Sequence, residues 1–334
     1  MGQFQDSDRR FLMQAYKQAQ EAARPPRRLG QRPEPAWSAL LADGENGISS
    51  AIFSPGDQED AVKKLLPGFD VSKHPNATLY LTLEPKAGFD RLPPVTESVR
   101  RLGVNRVVIG TLDPAQRYRG EGSRTLEQGG VEVILADGEE ARCCQYLIED
   151  YSKWLSRGLA VLRAQVELAA EEDGSFDLKF NTTPRDLRTD ALLCRAGGQR
   201  SVGEVWRVVL DPEGWERPAE QNILYQVSPP VPGPGVRLLP MRDGVPDLGA
   251  LLRDLGSLGF LSAELAGDPE LFRLALRSGL IDSVMARFTQ EDESLKALSH
   301  SGRVHMKDGG EPLDLKLNGA RLVGGQLEAR VELC

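Results

Sequence analysis

The sequence is poor in the side chains that build metal and thiol chemistry. Its 334 residues include four cysteines and three histidines. Cys143 and Cys144 are neighbours, Cys194 and Cys334 stand apart, and no Cys-x-x-Cys occurs. That excludes ribbon-type zinc sites and thioredoxin-type redox motifs, and it predicts a reduced, cytoplasmic chain. His74, His300 and His305 never pair at metal spacing on one helix, so they read as surface histidines. No apolar run reaches the roughly 20 residues of a membrane helix. The first 28 residues lack the apolar centre of a secretory signal, and the residues after Gly2 do not fit myristoylation. Cationic excess is missing too. Lys and Arg number 41 against 49 Asp and Glu, a net charge of -8. A general nucleic-acid binder needs the opposite sign, and the basic stretch RPPRRLGQR (24–32) reads as a solvated loop. Walker, kinase and Gly-x-Ser-x-Gly motifs are absent.

What is present is alternation. Hydrophobic residues make up 40% of the chain and charged residues 27%, a composition that suits two globular domains. Phe11, Leu12, Ala15, Tyr16 and Ala19 recur on one face and predict a helix over 8–23, ended by Pro25-Pro26. WSALLA (37–42) is a short apolar run before the turn residues DGENG (43–47). Helices are predicted at 61–66, 93–103 and 122–130, and strands at 77–83, 104–112 and 131–135. Residues 139–158 predict one helix leading to a second domain. There, strands at 159–170, 191–194, 206–211, 222–227, 260–265 and 281–289 alternate with helices at 247–259 and 268–280. SPPVPGPG (228–235) is a rigid connector. Strand–helix alternation of this kind predicts α/β layers in both halves.

The stretch ATLYLTLEPKAGFDRLPPV (77–95), followed by LGVNRVVIGTLDPAQRYRGEG, resembles the bifunctional pyrimidine deaminase/reductase family of riboflavin biosynthesis. The family's loop has Pro-Cys, eight residues, Cys. Here Lys86, eight residues and Val95 keep that spacing. RPEPAWSALLADG resembles the family's Pro-Asn-Pro segment, with Glu34 in the Asn place. SPGDQEDAVKKL stands where the family has Gly-x-x-His-Ala-Glu. Counted from Gly56, Glu59 falls on the histidine ligand and Ala61 on the catalytic glutamate, and a slip of one residue puts Asp60 on that glutamate. In such deaminases a His and two Cys hold zinc, which lowers the pKa of a bound water, while the glutamate moves the proton. The resemblance therefore implies a degenerate deaminase at Glu59, Ala61, Lys86 and Val95, with no zinc. Lys86 is a cation, and Val95 donates nothing. An ion pair between Glu59 and Lys86 is expected where the metal would have been, with the alternative that Lys86 reaches out to water. Asp90 and Arg91 read as a surface ion pair with each other.

The second half resembles the family's reductase more faintly. VELAAEEDG (166–174) keeps Leu168, Ala169, Asp173 and Gly174 of its opening strand, but Glu167 takes the lysine place and Glu171 the serine place. DALLCRAGGQRSV (190–202) resembles its Asp-Ala-Ile-Leu-Val-Gly strand and Gly-x-Gly turn, after which the resemblance implies that a phosphate-gripping loop is deleted. AELAGDPELFRLALRSGLID (263–282) resembles its Glu-Gly-Gly-Pro turn and helix. The resemblance implies a cytidine-deaminase-like α/β/α sandwich over 1–150 and a dihydrofolate-reductase-like α/β domain over 151–334. It also implies NADPH as the reductase cofactor and a homodimer through the C-terminal domain. Gly197, Gly198, Glu264 and Gly267 are the cofactor-binding candidates. Gly197-Gly198 is a pyrophosphate cradle or a plain turn; Glu264 orients a nucleotide or caps the turn that follows. Asp268 would repel a phosphate. Trp154, Trp206 and Trp215 read as packing residues.

Together these residues favour a chain that keeps both folds and has lost the deaminase and reductase chemistries. It would act as a partner of a riboflavin-pathway protein, a regulator, or a binder of a pyrimidine- or flavin-like ligand. Two alternatives stand: an NADPH-dependent 5-amino-6-(5-phosphoribosylamino)uracil reductase with a dead deaminase half, and a metal-free enzyme for another substrate.

Overall fold

A computed structural model describes residues 3–22, 30–170, 176–180, 189–196, 205–212, 219, 221–227, 235–265, 267–288, 303–307, 313–323 and 326–333. The described chain falls into two compact units that divide between Arg157 and Gly158, with Gly30 grouped with the second.

The first unit is a five-stranded sheet between two helical layers. Helix α1 (Asp6–Ala22) is followed by the hairpin β1 (Trp37–Asp43) and β2 (Asn46–Phe53), turned at Gly44 with φ +57°. Then come α2 (Ala61–Leu65), β3 (Thr78–Leu81), α3 (Val95–Leu102), β4 (Arg106–Ile109), α4 (Glu121–Gln128) and β5 (Glu132–Leu135). The strand order is β2-β1-β3-β4-β5. β1 runs antiparallel to β2 and β3, and β3, β4 and β5 are parallel, as strands joined by helical crossovers must be. Alternate residues of β1, β3 and β4 face opposite layers. Ala39, Leu41, Leu79, Leu81, Val107 and Ile109 pack with α2, α3 and α4. Leu40, Tyr80 and Val108 pack with Phe11, Leu12 and Ala15 of α1 and with Cys144.

One ionic group reinforces the α1 layer. Buried Asp8 accepts both terminal nitrogens of Arg106 (2.8 and 2.9 Å) and the Tyr80 hydroxyl (3.0 Å). Burial works to raise the Asp8 pKa. Arg106 and the Gln5 amide outweigh it and hold the carboxyl below its ordinary range. The single helix expected over 139–158 is two: α5 (Gly138–Leu147) and α6 (Glu149–Arg157). They part at Ile148, which leaves helical geometry (φ -110°, ψ 8°) and is buried in the core.

The second unit contains β6 (Val161–Ala170), β7 (Phe176–Phe180), β8 (Ala191–Arg195), β9 (Trp206–Leu210), β10 (Asn222–Gln226) and β11 (Val236–Leu238). A small hairpin, β12 (Met241–Arg242) and β13 (Val245–Pro246), precedes α7 (Leu248–Ser257), β14 (Ser262–Leu265), α8 (Pro269–Arg277) and β15 (Ser283–Phe288). β16 (Arg303–Lys307), β17 (Leu313–Val323) and β18 (Gln326–Leu333) follow. The main sheet of the described residues has the order β11-β10-β9-β8-β14-β6-β15-β18-β17-β16-β7, and β7 also pairs with β6. The long strand β6 is therefore shared. Its first half lies between β14 and β15, and its second half between β15 and β7, which closes a ring of six strands. Leu251, Leu252 and Leu255 of α7 and Phe272 and Ala275 of α8 cover one face of the parallel part, against Leu162, Ala191, Leu193, Val208 and Ala263. Trp206 packs edge-on to Phe260, and Trp154 stacks on Tyr151.

Candidate functional site

β3 is followed by Thr82, Leu83 and Glu84, all buried, and the chain then turns through 85–94 into α3. Glu84 anchors this corner. Its two oxygens accept the backbone N–H groups of Asp113 (3.0 Å), Gly120 (2.9 Å) and Ser123 (3.0 Å) and the Ser123 hydroxyl (3.0 Å). One carboxylate thus satisfies the start of α4 and the loop after β4 together. Gly122 is required beside it, because a Cβ there would collide with the Pro85 carbonyl oxygen. Behind this corner lies a cavity of about 60 Å³. A water needs roughly 10–15 Å³ measured in this way, so the space suits a few waters or one small ring substituent. Trp37 and Phe53, stacked at 5.8 Å, line it with Leu83, Leu92 and Val95, and its charged lining includes Glu34, Asp60, Lys86, Asp90 and Arg91.

The four positions that the resemblance singles out, Glu59, Ala61, Lys86 and Val95, come only partly together here. Lys86 and Val95 line the cavity, and Asp60 joins them. Ala61 is fully buried as the first residue of α2. The expected Glu59–Lys86 bridge is not formed. Asp60 is the N-cap of α2, its Oδ1 accepting from the Lys63 amide (2.8 Å) and its Oδ2 from the Ser98 hydroxyl (2.9 Å). That cap directs Asp60 inward and leaves Glu59, one residue earlier, on the outside, where it pairs with Lys63 at 2.9 Å. Lys86 has a nearer acid four residues on and bonds Asp90 at 2.8 Å. The alternative register, with Asp60 in the glutamate's place, is the one that puts a carboxylate in the cavity wall. Asp90 and Arg91 do not pair with each other as expected. Asp90 takes Lys86 and Arg32, and Arg91 takes Glu34. His74 lies beside Asp43 (3.2 Å) and stacks on Phe69.

Zinc does not fit this donor set. The cavity offers a lysine and a valine at the two thiolate places and no imidazole, and its carboxylates are engaged elsewhere: Asp60 in a helix cap, Glu84 with backbone amides, and Glu34 and Asp90 in ion pairs. Among the described residues no three His, Cys, Asp or Glu side chains converge on a common point suited to a metal. None of the described cysteines, Cys143, Cys144 and Cys194, is joined in a disulfide.

In the second unit, Glu264 and Gly267 lie where β14 passes into α8. Glu264 is buried and accepts the Thr189 hydroxyl at 3.0 Å. Gly267 has φ +54°, which a glycine adopts at little cost. Gly197 and Gly198 lie outside the described residues, as do His300 and Trp215. Asp268 is the N-cap of α8, accepting from the amides of Glu270 and Leu271 at 3.0 Å each. Arg195, at the end of β8, bonds both Asp268 and Glu270. The helix start that would meet a nucleotide phosphate is thus filled by the chain's own carboxylate, and a phosphate does not fit there.

Glu84, Arg32 and the Glu34–Arg91 pairing are site residues that sequence reasoning passed over. Glu84 was visible inside TLEP, but nothing local shows that its partners lie 29 to 39 residues away.

No protein-family model matches the chain. Its sequence is 40% identical over 85 residues to riboflavin biosynthesis protein RibD of Aquifex aeolicus, and 34% identical over 121 residues to that of Synechocystis. The longer match, to RibD of Escherichia coli, is 28% identical over 199 residues, 57% of this chain and 50% of that protein. The matched segments thus span between about a quarter and a half of these three relatives' own length. In fold the likeness runs end to end. RibD of Acinetobacter baumannii superposes with a TM-score of 0.67 over 98% of this chain and 99% of that one, at 18% identity. The deaminase/reductase of Thermotoga maritima gives 0.66 over 98% of each, at 20% identity.

Proposed function

We propose, for a chain that is a RibD-like member of the riboflavin-biosynthesis family, a role without deamination: it binds a pyrimidine- or flavin-like ligand, or a riboflavin-pathway protein, as a partner or regulator. The observation that carries this reading is the replacement of the whole zinc constellation. Lys86, Val95 and Asp60 line the cavity where thiolates and an imidazole would be needed, and Ala61 has no proton to move. Without a metal, such a wall does not supply the zinc-activated water on which that deamination depends. The reductase half supports the same reading, since Asp268 and its Arg195 partner already occupy the start of α8. The protein works in the cytoplasm and as a homodimer through its second unit.

Metal analysis of the purified chain by mass spectrometry tests the first part. Far less than one zinc per chain is expected, and one tightly held zinc per chain would end this reading. A thermal-shift screen with flavins, ribityl-pyrimidines and NADPH tests the second, because a ligand that binds only the folded state raises the melting point. Retention of Glu264 and of the positive φ at Gly267 favours one second reading: NADPH-dependent reduction of a phosphoribosylaminopyrimidine, with the first unit as a structural rider. NADPH oxidation with that substrate at about one turnover per second, a low but ordinary enzyme rate, would replace the first reading by this one. Light scattering of the eluting protein tests the dimer.

A further inference from the structure

Two ion pairs join the same two segments of the first unit. Arg32 and Glu34 precede β1, and Asp90 and Arg91 belong to the turn between β3 and α3. Arg32 bonds Asp90 at 2.6 Å, and the two nitrogens of Arg91 meet the two oxygens of Glu34 at 3.1 and 2.9 Å, a fork-to-fork geometry. The other Asp90 oxygen takes the Lys86 ammonium, and Glu34 also accepts the Gly56 amide. The order of charges is crossed, plus then minus on one segment and minus then plus on the other. Of the two ways to pair one segment with the other, the alternative, Arg32 with Arg91 and Glu34 with Asp90, sets like charges together, so the contact between the segments specifies its own register. The carboxylates are sheltered, at 15% and 14% exposure for Asp90 and Glu34, and Arg91 lies over the Phe53 ring at 5.9 Å. Glu34, Lys86, Asp90 and Arg91 all line the cavity.

We infer that Arg32, Glu34, Asp90 and Arg91 form an electrostatic clasp that holds the turn 85–94 shut over the cavity without a metal, and that opening the clasp is what admits a ligand to the cavity. Closure then responds to ionic strength and not to chelators. This stands whether or not the chain retains a catalytic step, since it concerns only what holds the wall in place.

Hydrogen exchange of the full-length protein, read on peptides covering 85–94, tests it. In the wild type EDTA leaves exchange unchanged, whereas about 1 M NaCl, where the Debye length falls to about 3 Å, speeds it. Arg91→Glu faces Glu34 with a like charge and raises exchange of the turn about tenfold through local opening. Glu34→Arg with Arg91→Glu restores the opposite pairing and returns it toward the wild-type rate. Should Arg91→Glu unfold the whole chain, Asp90→Asn and the salt arm on the wild type decide instead. Acceleration by EDTA alone, indifference to salt, or a charge swap that fails to recover protection would each overturn the clasp.

Discussion

The two places where a riboflavin-type deaminase and reductase would bind something differ in how they are filled. In the first unit a space is present without thiolate or imidazole in its lining: a small cavity with apolar walls, among whose charged residues Glu34 pairs with Arg91 and Lys86 with Asp90. In the second unit the acceptor itself is occupied, because Asp268 bonds the amides at the start of α8 and Arg195 neutralises it. Both are closed by intramolecular charge. In the second, the Asp268 carboxylate sets a negative charge at the helix start that a phosphate would meet. A pair of carboxylates makes the contrast measurable. Glu84 serves three amides distant in sequence, whereas Asp268 serves two of its own helix.

The largest effect is expected from Glu84→Ala. It leaves three sheltered amides without an acceptor, each worth about 1–3 kcal/mol if unsatisfied, so a loss of about 3–5 kcal/mol is predicted for the first unit. Native-state hydrogen exchange, which reports each unit separately, checks it. A loss under about 1 kcal/mol, the worth of one ordinary hydrogen bond, would make Glu84 no more than a local cap like Asp268.

Acid sharpens the contrast next. Asp8 lies below its ordinary range, and Asp90 is held at about 2, where Lys86 and Arg32 overcome the upward push of burial. Groups with depressed folded pKa values stabilise fully above the unfolded value, near about 4, and lose that contribution as pH falls through the folded one. Asp113 runs the other way, its pKa raised by burial, so its protonation relieves a small cost. The first unit should therefore weaken between about pH 4 and 2. Exchange-detected opening at stepped pH tests this, and Arg106→Ala should flatten part of the dependence.

Asp268→Ala should cost about 1 kcal/mol, the usual worth of an N-cap, in the second unit only. Asp268→Asn keeps a capping oxygen and removes the charge. If charge is what bars the helix start, pyrophosphate should raise the melting point of this variant and not of the wild type. Equal shifts would place the bar elsewhere. The smallest effect belongs to Glu59→Ala. Its pair with Lys63 is about half exposed, and such pairs are worth under about 0.5 kcal/mol. A larger loss would mean that Glu59 does more than sit outside the cavity.

Much of this arrangement was legible in the sequence. The alternation of apolar runs located most strands of both sheets, and the spacing from Lys86 to Val95 located the cavity wall. The direction of a charged side chain was not legible. Glu59 and Asp60 are neighbours, and only the capping bond to the Lys63 amide decides which faces in. The pairing of Arg91 with Glu34 joins residues 57 apart, and no local pattern encodes it. The strands β2, β7, β11 to β13 and β16 to β18 were not predicted; β11 to β13 are only two or three residues long, and β7 and β16 to β18 mix charge with short apolar stretches. Ile148 splits a helix that its neighbours would continue, because the core claims its side chain.

Gly122 carries a consequence for redesign. Because Pro85 occupies the room a side chain would need there, the two segments share one position in space, and neither can be altered at that point alone. The residues from 86 to 92 hang beyond this fixed point. Any redesign of that stretch, thiols included, has to keep the Pro85 backbone where a missing methyl group at Gly122 has set it.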